Sequence, residues 1–373
     1  MKKMKNLLLG ACLMMTSSAS ATDFQPAEIK QKMASVADWQ MQNMDNIPVK
    51  FKRHRQLRSW VNGAFFVGMV KWAELAETDK YYTWLKSVGE QNKWQLGDRK
   101  YHADDHVVGQ MYIALSDHYK DPTMLEGTQQ RLDFILNNQS ESGLKWGTKS
   151  AHERWAWCDA LFMAPPTWAA MSAATGDPKY REFMVREYKA ATDFLYDEDE
   201  DLYFRDSSFF KKREKSGEKI FWSRGNGWVF AGLPLIMEQL PKDSEDYKYF
   251  AQIYNKMAVK LLSLQAEEGY WPMSLLAGHS YKTPETSGTA FFVYGFAWGV
   301  NQGLLDREQY MPAIKKGWSC LLEKVHDDGM LGYVQPIGAA PGEAWADKTI
   351  AYGPGAFLAA GCEVYKLIQT DTK

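Results

Sequence analysis

Apolar positions recur at helical spacing along most of the chain, in segments of two alternating kinds. Segments 124–138 and 180–196 set an apolar stripe against a polar face, the pattern of a helix that covers a core on one side. Segments 163–175 and 229–240 are apolar or small on nearly every face, which suits a helix enclosed all round. Between an enclosed segment and the amphipathic one that follows stands a stop–start signal. Thr175-Gly176-Asp177-Pro178 combines a Gly stop, an Asp N-cap and a Pro at the first helical position. Lys120-Asp121-Pro122 repeats it, and Thr78-Asp79, Lys242-Asp243 and Leu305-Asp306 are weaker forms. The five junctions lie 42, 56, 66 and 63 residues apart. That drift is too large for a solenoid and fits helical hairpins joined by loops of unequal length.

Five hairpins, plus an N-terminal helix paired with a last helix over 356–368, make six. The simplest closure is an all-α, six-hairpin toroid, an (α/α)6 barrel, with the apolar helices inside; an open superhelix is the alternative. The long loops, 94–104, 138–158, 196–225, 265–287 and 326–353, all precede inner helices and are rich in Trp, Gly and Asp. In a toroid they line one mouth, where function concentrates on a rigid scaffold. Counting back 16 to 18 residues from the junctions reaches Gly63, Asp105, Asp159, Asn226 and Gly288 in turn. These five positions are therefore expected near inner-helix N-termini, converging on one pocket.

Composition adds to this picture in three ways. With 45% hydrophobic residues in 373, the chain can bury one large core, and we expect a single catalytic domain over 22–373. The 15 Trp, 19 Tyr and 18 Phe exceed what a core alone needs in loops, and flat rings beside hydrogen-bonding groups suit sugar rings. A net charge of −2 gives no reason to expect nucleic-acid binding. Residues 1–21 read as a signal peptide: Lys2, Lys3 and Lys5, an apolar stretch over 7–15, then Ala19-Ser20-Ala21 as a cleavage site. Its removal deletes three lysines and takes the charge from −2 to −5. Export to the periplasm is the expectation, with lipid anchoring at Cys12 as the less favoured reading and no membrane span. Cys158, Cys320 and Cys362 are an odd set without metal-type spacing, and the seven His show no HExxH-like pattern. We expect no disulfide framework, no catalytic metal and no cofactor.

Two carboxylates near one pocket are the usual apparatus of glycoside chemistry. Asp159 stands among Trp155, Trp157, Leu161 and Phe162, and Asp105 in the more polar Tyr101-His102-Ala103-Asp104-Asp105-His106. Desolvation raises a carboxyl pKa, so Asp159 is the expected proton donor and Asp105 its charged partner. The competing reading is that each Asp merely caps a helix. In Trp222-Ser223-Arg224-Gly225-Asn226-Gly227-Trp228, Arg224 offers a fork for a uronate carboxylate and Trp228 a stacking face. The alternative is a Gly-rich turn in which Arg224 satisfies buried carbonyls.

At these residues the chain resembles the unsaturated glucuronyl and rhamnogalacturonyl hydrolases of glycoside hydrolase families 88 and 105, more closely 105. The resemblance spans most of the chain beyond the leader. It is carried by Trp60-Val61-Asn62-Gly63, Asp105-His106-Val107-Val108-Gly109, Trp157-Cys158-Asp159-Ala160-Leu161-Phe162-Met163-Ala164, the 222–228 motif, and Glu285-Thr286-Ser287-Gly288-Thr289-Ala290. It implies an (α/α)6 barrel acting on lyase-generated oligosaccharides that end in a 4,5-unsaturated uronic acid. It also implies that Asp159 is the general acid/base of a double-bond hydration, with Asp105, or alternatively Asp104, as second carboxylate. Trp60, Trp157, Arg205, Trp222, Arg224, Trp228 and Ser287 become the expected substrate contacts. One departure stands out: where relatives carry His after the aromatic pair near Leu202-Tyr203-Phe204, this chain has Arg205. A fixed cation there points from rhamnogalacturonan towards a sulfated or differently linked oligosaccharide, such as an ulvan fragment. The rival functions are another α/α-toroid carbohydrate enzyme (a saturated-glycan hydrolase, a lyase or an epimerase) and a non-catalytic glycan-binding protein.

Overall fold

Four of the five sequence junctions become helix starts where expected in the computed structural model, which describes residues 24–45, 54–148 and 150–371. Asp177 accepts from the Lys179 amide at 3.0 Å, behind Pro178 and a left-handed Gly176. Asp121 accepts from the Thr123 amide, also at 3.0 Å, and Asp306 from Gln309 at 2.8 Å. Asp79 occupies an N-cap position without a side-chain bond. The fifth junction shifts: Ser244 rather than Asp243 caps its helix, accepting from the Tyr247 amide. The leader over residues 1–21, with its cleavage site and Cys12, lies outside the described residues.

The amphipathic segments form an outer layer: α1 (Pro26–Gln42), α3 (Lys80–Gln91), α5 (Glu126–Asn137), α8 (Pro178–Leu195), α10 (Glu245–Leu262) and α12 (Arg307–Leu322). The enclosed segments form an inner ring: α2 (Trp60–Leu75), α4 (Val108–Tyr119), α7 (Pro165–Thr175), α9 (Ser223–Met237), α11 (Thr286–Asn301) and α13 (Tyr352–Asp371). A single turn, α6 (Ala160–Met163), precedes α7 and is separated from it at Ala164. Pro165 and Pro166 follow and have no N–H with which to continue the ladder. Each inner helix packs on the next, and α13 packs back on α2, so the ring is a closed (α/α)6 toroid. The pairing of α1 with α13 completes the sixth hairpin as expected.

Closure depends on two glycines. A Cβ on Gly68 would fall inside the Gly355 carbonyl, and one on Gly355 would lie 2.6 Å from Phe65 Cα. The α2 and α13 backbones therefore touch directly. Two features were absent from the sequence reading. One is a two-stranded ribbon, β1 (Tyr196–Asp197) against β2 (Leu202–Tyr203). The other is the early start of α9, which takes the 222–228 motif into its first turns. No helix among the described residues is long and apolar enough to cross a membrane.

Candidate active site

The five register positions do stand at inner-helix starts: Gly63 in α2, Asp105 before α4, Asp159 before α6, Asn226 in α9 and Gly288 in α11. Local backbone pairing then builds the site. Asn226 is fully buried; it accepts from the Tyr203 amide at 2.8 Å and donates to the Tyr203 carbonyl at 3.0 Å. This clamps the β2 strand to α9. Two residues on, the Arg205 carbonyl accepts from the Cys158 amide at 2.9 Å, and Trp157 bridges to Asp206. Gly225 leaves room for the Cys158 thiol, whose Sγ would lie 3.1 Å from a Cβ there. The Gly-Asn-Gly core of the motif is thus a scaffold that sets Asp159 beside Arg205.

Asp159 makes no helix-capping hydrogen bond, so the cap reading does not account for it. The Cys158 thiol donates to its Oδ2 at 3.6 Å, and Arg205 Nε stands 3.6 Å from the same oxygen. Desolvation raises its pKa above the ordinary carboxylate value, against the opposing pull of Arg205 and then Arg224.

Asp105 is engaged by Arg99. Its carboxylate is turned to Arg99, accepting from the backbone amide at 2.7 Å and from Nε at 3.1 Å. A Cβ on Gly97 would lie 2.6 Å from its Oδ2. Both oxygens are therefore committed to holding the 97–105 loop. The neighbouring Asp104, the alternative second carboxylate, stands 3.7 Å from Arg99 and 3.6 Å from His102 Nδ1. Its pKa is pushed up to about 7, first by desolvation, with Arg99 lowering it and the Asp159 and Asp105 charges raising it.

The expected substrate contacts divide. Trp60 is half-buried and stacks on Tyr352, with centroids 5.5 Å apart and planes at 7°. Trp157 is buried but edges against His102, Trp146 and His152 beside the carboxylates. The others are committed to contacts within the protein. Arg224 is 1% exposed, donates to the carbonyls of Gln335 (2.8 Å) and Pro336 (3.0 Å), and stacks between Trp222 and Tyr352. Its fork is spent on backbone, the alternative weighed from sequence. Trp222 is buried, with Nε1 donating to Gln335 Oε1. Trp228 is buried among Trp60, Phe162 and Phe291 and offers no open face. Ser287 is buried, its hydroxyl donating to Glu285. Arg205 has its NH1 on Asp206 at 2.6 Å and its guanidinium over Trp146 at 4.3 Å.

Several residues near the carboxylates escaped the sequence reading. His102 and His152 stack at 4.6 Å, and burial, followed by the Arg205 and Arg99 charges, holds the His152 pKa down. Their loops carry no recurring spacing that would have paired them. Glu285, which opens the 285–290 motif, accepts from the amides of Ser287 (3.0 Å), Gly288 (2.7 Å) and Gln335 (3.1 Å). Acidic and three residues before Gly288, it carried a capping signal in the sequence. Glu285→Ala leaves three buried N–H groups without an acceptor, each costing about 1–3 kcal/mol. We expect a loss of at least about 3 kcal/mol in chemical unfolding; a loss below about 1 kcal/mol would contradict the assignment of Glu285 as the link joining α11 to the 334–336 segment. Among the described residues no group of three or more His, Cys, Asp or Glu could hold a metal ion.

A cavity of about 700 Å³ opens at the opposite end of the ring, lined by Lys71, Gln110, Asp117 and Glu238. It holds none of the residues above.

Comparison with known proteins agrees with this architecture. Residues 32–368 match the model of Glycosyl Hydrolase Family 88. A Formosa agariphila protein named unsaturated 3S-rhamnoglycuronyl hydrolase is 38% identical, covering 98% of this chain and 100% of its own. One of the same name from Alteromonas sp. (strain LOR) is 37% identical, over 88% of this chain and 84% of its own. The solved structure of a family 88 glycosyl hydrolase from Bacteroides vulgatus superposes with a TM-score of 0.81 at 27% identity, over 92% of this chain and 99% of that one. A structure titled as a polysaccharide lyase also gives 0.81, at 29% identity, over 92% and 98%.

Proposed function

Because the chain belongs to glycosyl hydrolase family 88, we propose that it removes a terminal 4,5-unsaturated uronic acid from lyase-generated oligosaccharides, with Asp159 as general acid/base. The chain is a glycosidase. The observation that carries the residue assignment is the state of Asp159: partly buried, uncapped, raised in pKa by desolvation, and 3.6 Å from Arg205 Nε. A desolvated carboxyl is a competent acid near neutral pH. In the proposed reaction Asp159 gives its proton to C4 of the enol ether and positive charge develops at C5. Water adds at C5 and returns a proton to the carboxylate. The resulting hemiketal opens, breaking the bond to the rest of the glycan, and no bond to the protein forms. Asp104 is the proposed second carboxylate, holding negative charge beside the cationic transition state. The half-exposed Trp60 face is the proposed sugar platform.

Both relatives are named for a 3S-rhamnoglycuronyl substrate, which supports an unsaturated uronyl group on sulfated rhamnose, of ulvan type, as the substrate here. The basic-apolar-small leader supports cleavage after Ala21 and a periplasmic location.

The test is optical. The conjugated double bond absorbs in the ultraviolet, and its hydration bleaches that absorbance. Purified protein should bleach lyase-treated ulvan oligosaccharides and leave untreated ulvan unchanged. The name of one structural relative, a polysaccharide lyase, favours a second reading, and the sign of the signal separates the two: a lyase creates the absorbance. Binding without bleaching would leave only the glycan-binding reading.

A further inference from the structure

Arg205 entered as a candidate contact for a substrate sulfate, but its surroundings describe a different task. Its backbone is fixed by the Cys158 pairing. Its guanidinium is held on three sides: NH1 on Asp206 at 2.6 Å, the flat face over Trp146 at 4.3 Å, and Nε 3.6 Å from Asp159 Oδ2. Asp206 is itself 1% exposed and further anchored by the Ser208 amide at 2.8 Å. Only 12% of the Arg205 side chain is exposed, and Nε is buried without a hydrogen-bond partner. Nε, buried and unpaired, is thus the Arg205 atom nearest the candidate acid.

We infer that Arg205 is a positioning residue for Asp159, fixing the orientation and proton affinity of that carboxyl, and does not serve as a sulfate contact. This rests on the proposed hydration. Asp159 must release a proton to carbon and recover one from water within a single turnover. Burial alone favours the neutral acid and makes the carboxylate too costly to form; a fixed cation within 4 Å favours the carboxylate. The charged and titratable groups around Asp159 are few. The 196–222 loop supplies Arg205 and Asp206, α9 supplies Arg224, the loop before α4 supplies Asp104, Cys158 is the chain neighbour, and Tyr352 comes from α13. Arg224 is tied to two carbonyls and Asp104 is of like sign. Arg205 is the cation whose nitrogen approaches the carboxylate.

The experiment is a pH–rate profile of Arg205→Met and Arg205→Lys, using bleaching of an unsaturated oligosaccharide. Activity that needs protonated Asp159 is lost as pH rises through its pKa. Removing the cation raises that pKa, so the alkaline limb of kcat/KM in Arg205→Met should move up by at least about one pH unit, with kcat lowered. Arg205→Lys should return the limb towards wild type. Titration of the carboxyl by infrared difference against Asp159→Asn reads the same shift without substrate. A limb and titration unmoved in a folded Arg205→Met protein overturn the inference. So does a rise in KM confined to sulfated over desulfated substrate, which marks a sulfate contact. Failure of wild type to bleach any unsaturated substrate overturns the proposed function instead, and the infrared titration then decides the Arg205–Asp159 coupling alone.

Discussion

Asp159→Asn is expected to lower turnover of an unsaturated uronyl oligosaccharide by about three orders of magnitude, the scale of a lost general acid/base, while substrate binding persists. Asn keeps the shape and volume of the side chain, so the packing against Cys158 and Arg205 survives. It has no proton to give to C4 and no basicity to accept one from water, so both halves of the proposed cycle stop together. Calorimetric binding alongside the ultraviolet assay separates this from misfolding. Turnover within tenfold of wild type would transfer the acid role elsewhere, with Asp104 the first candidate, since it too is desolvated.

The second large effect is on stability, far from the chemistry. Gly68→Val should destabilise the protein by about 3 kcal/mol or more, or prevent folding, because the obstacle is the Gly355 backbone, which cannot change rotamer. Repair requires α2 and α13 to separate along the line where the ring closes. Gly143→Ala is the matched control: a Cβ there meets nothing within 4 Å, and its effect should stay within about 0.5 kcal/mol. Thermal unfolding of both variants tests the point. A Gly68→Val protein as stable as Gly143→Ala would mean that the seam does not hold the two helices in contact.

The fold was legible because its signals are local. Gly176, Asp177 and Pro178 act within one turn of chain, and the contrast between an enclosed helix and a striped one needs no partner to be seen. The position of Asp159 followed from the same register. What failed were distinctions made by distant atoms. Asp104 and Asp105 are adjacent in sequence, and only the course of the 97–105 loop decides that Arg99 hydrogen-bonds Asp105 and stays 3.7 Å from Asp104. Arg224 looked like a free fork because its acceptors, the carbonyls of Gln335 and Pro336, lie more than a hundred residues on. Trp228 looked like a stacking face until helix α9 turned it inward. Arg205 was visible as a departure from the family pattern, yet its nearness to Asp159 arises from backbone pairing that no spacing announces.

The contact between Gly68 and Gly355 also governs the order in which the molecule can be completed. The two glycines sit in the first and last staves of the inner ring, separated by nearly the whole chain, so their meeting carries a heavy loop-closure cost and belongs late in folding. Hairpins of adjacent helices can form on their own from local contacts, but until α13 docks, α2 presents an uncovered apolar flank and α1 lacks its partner. A chain with its last helix removed should then be a row of half-formed hairpins with a sticky end on each side, prone to join other chains. The contact that closes the barrel is the one that must wait for α13.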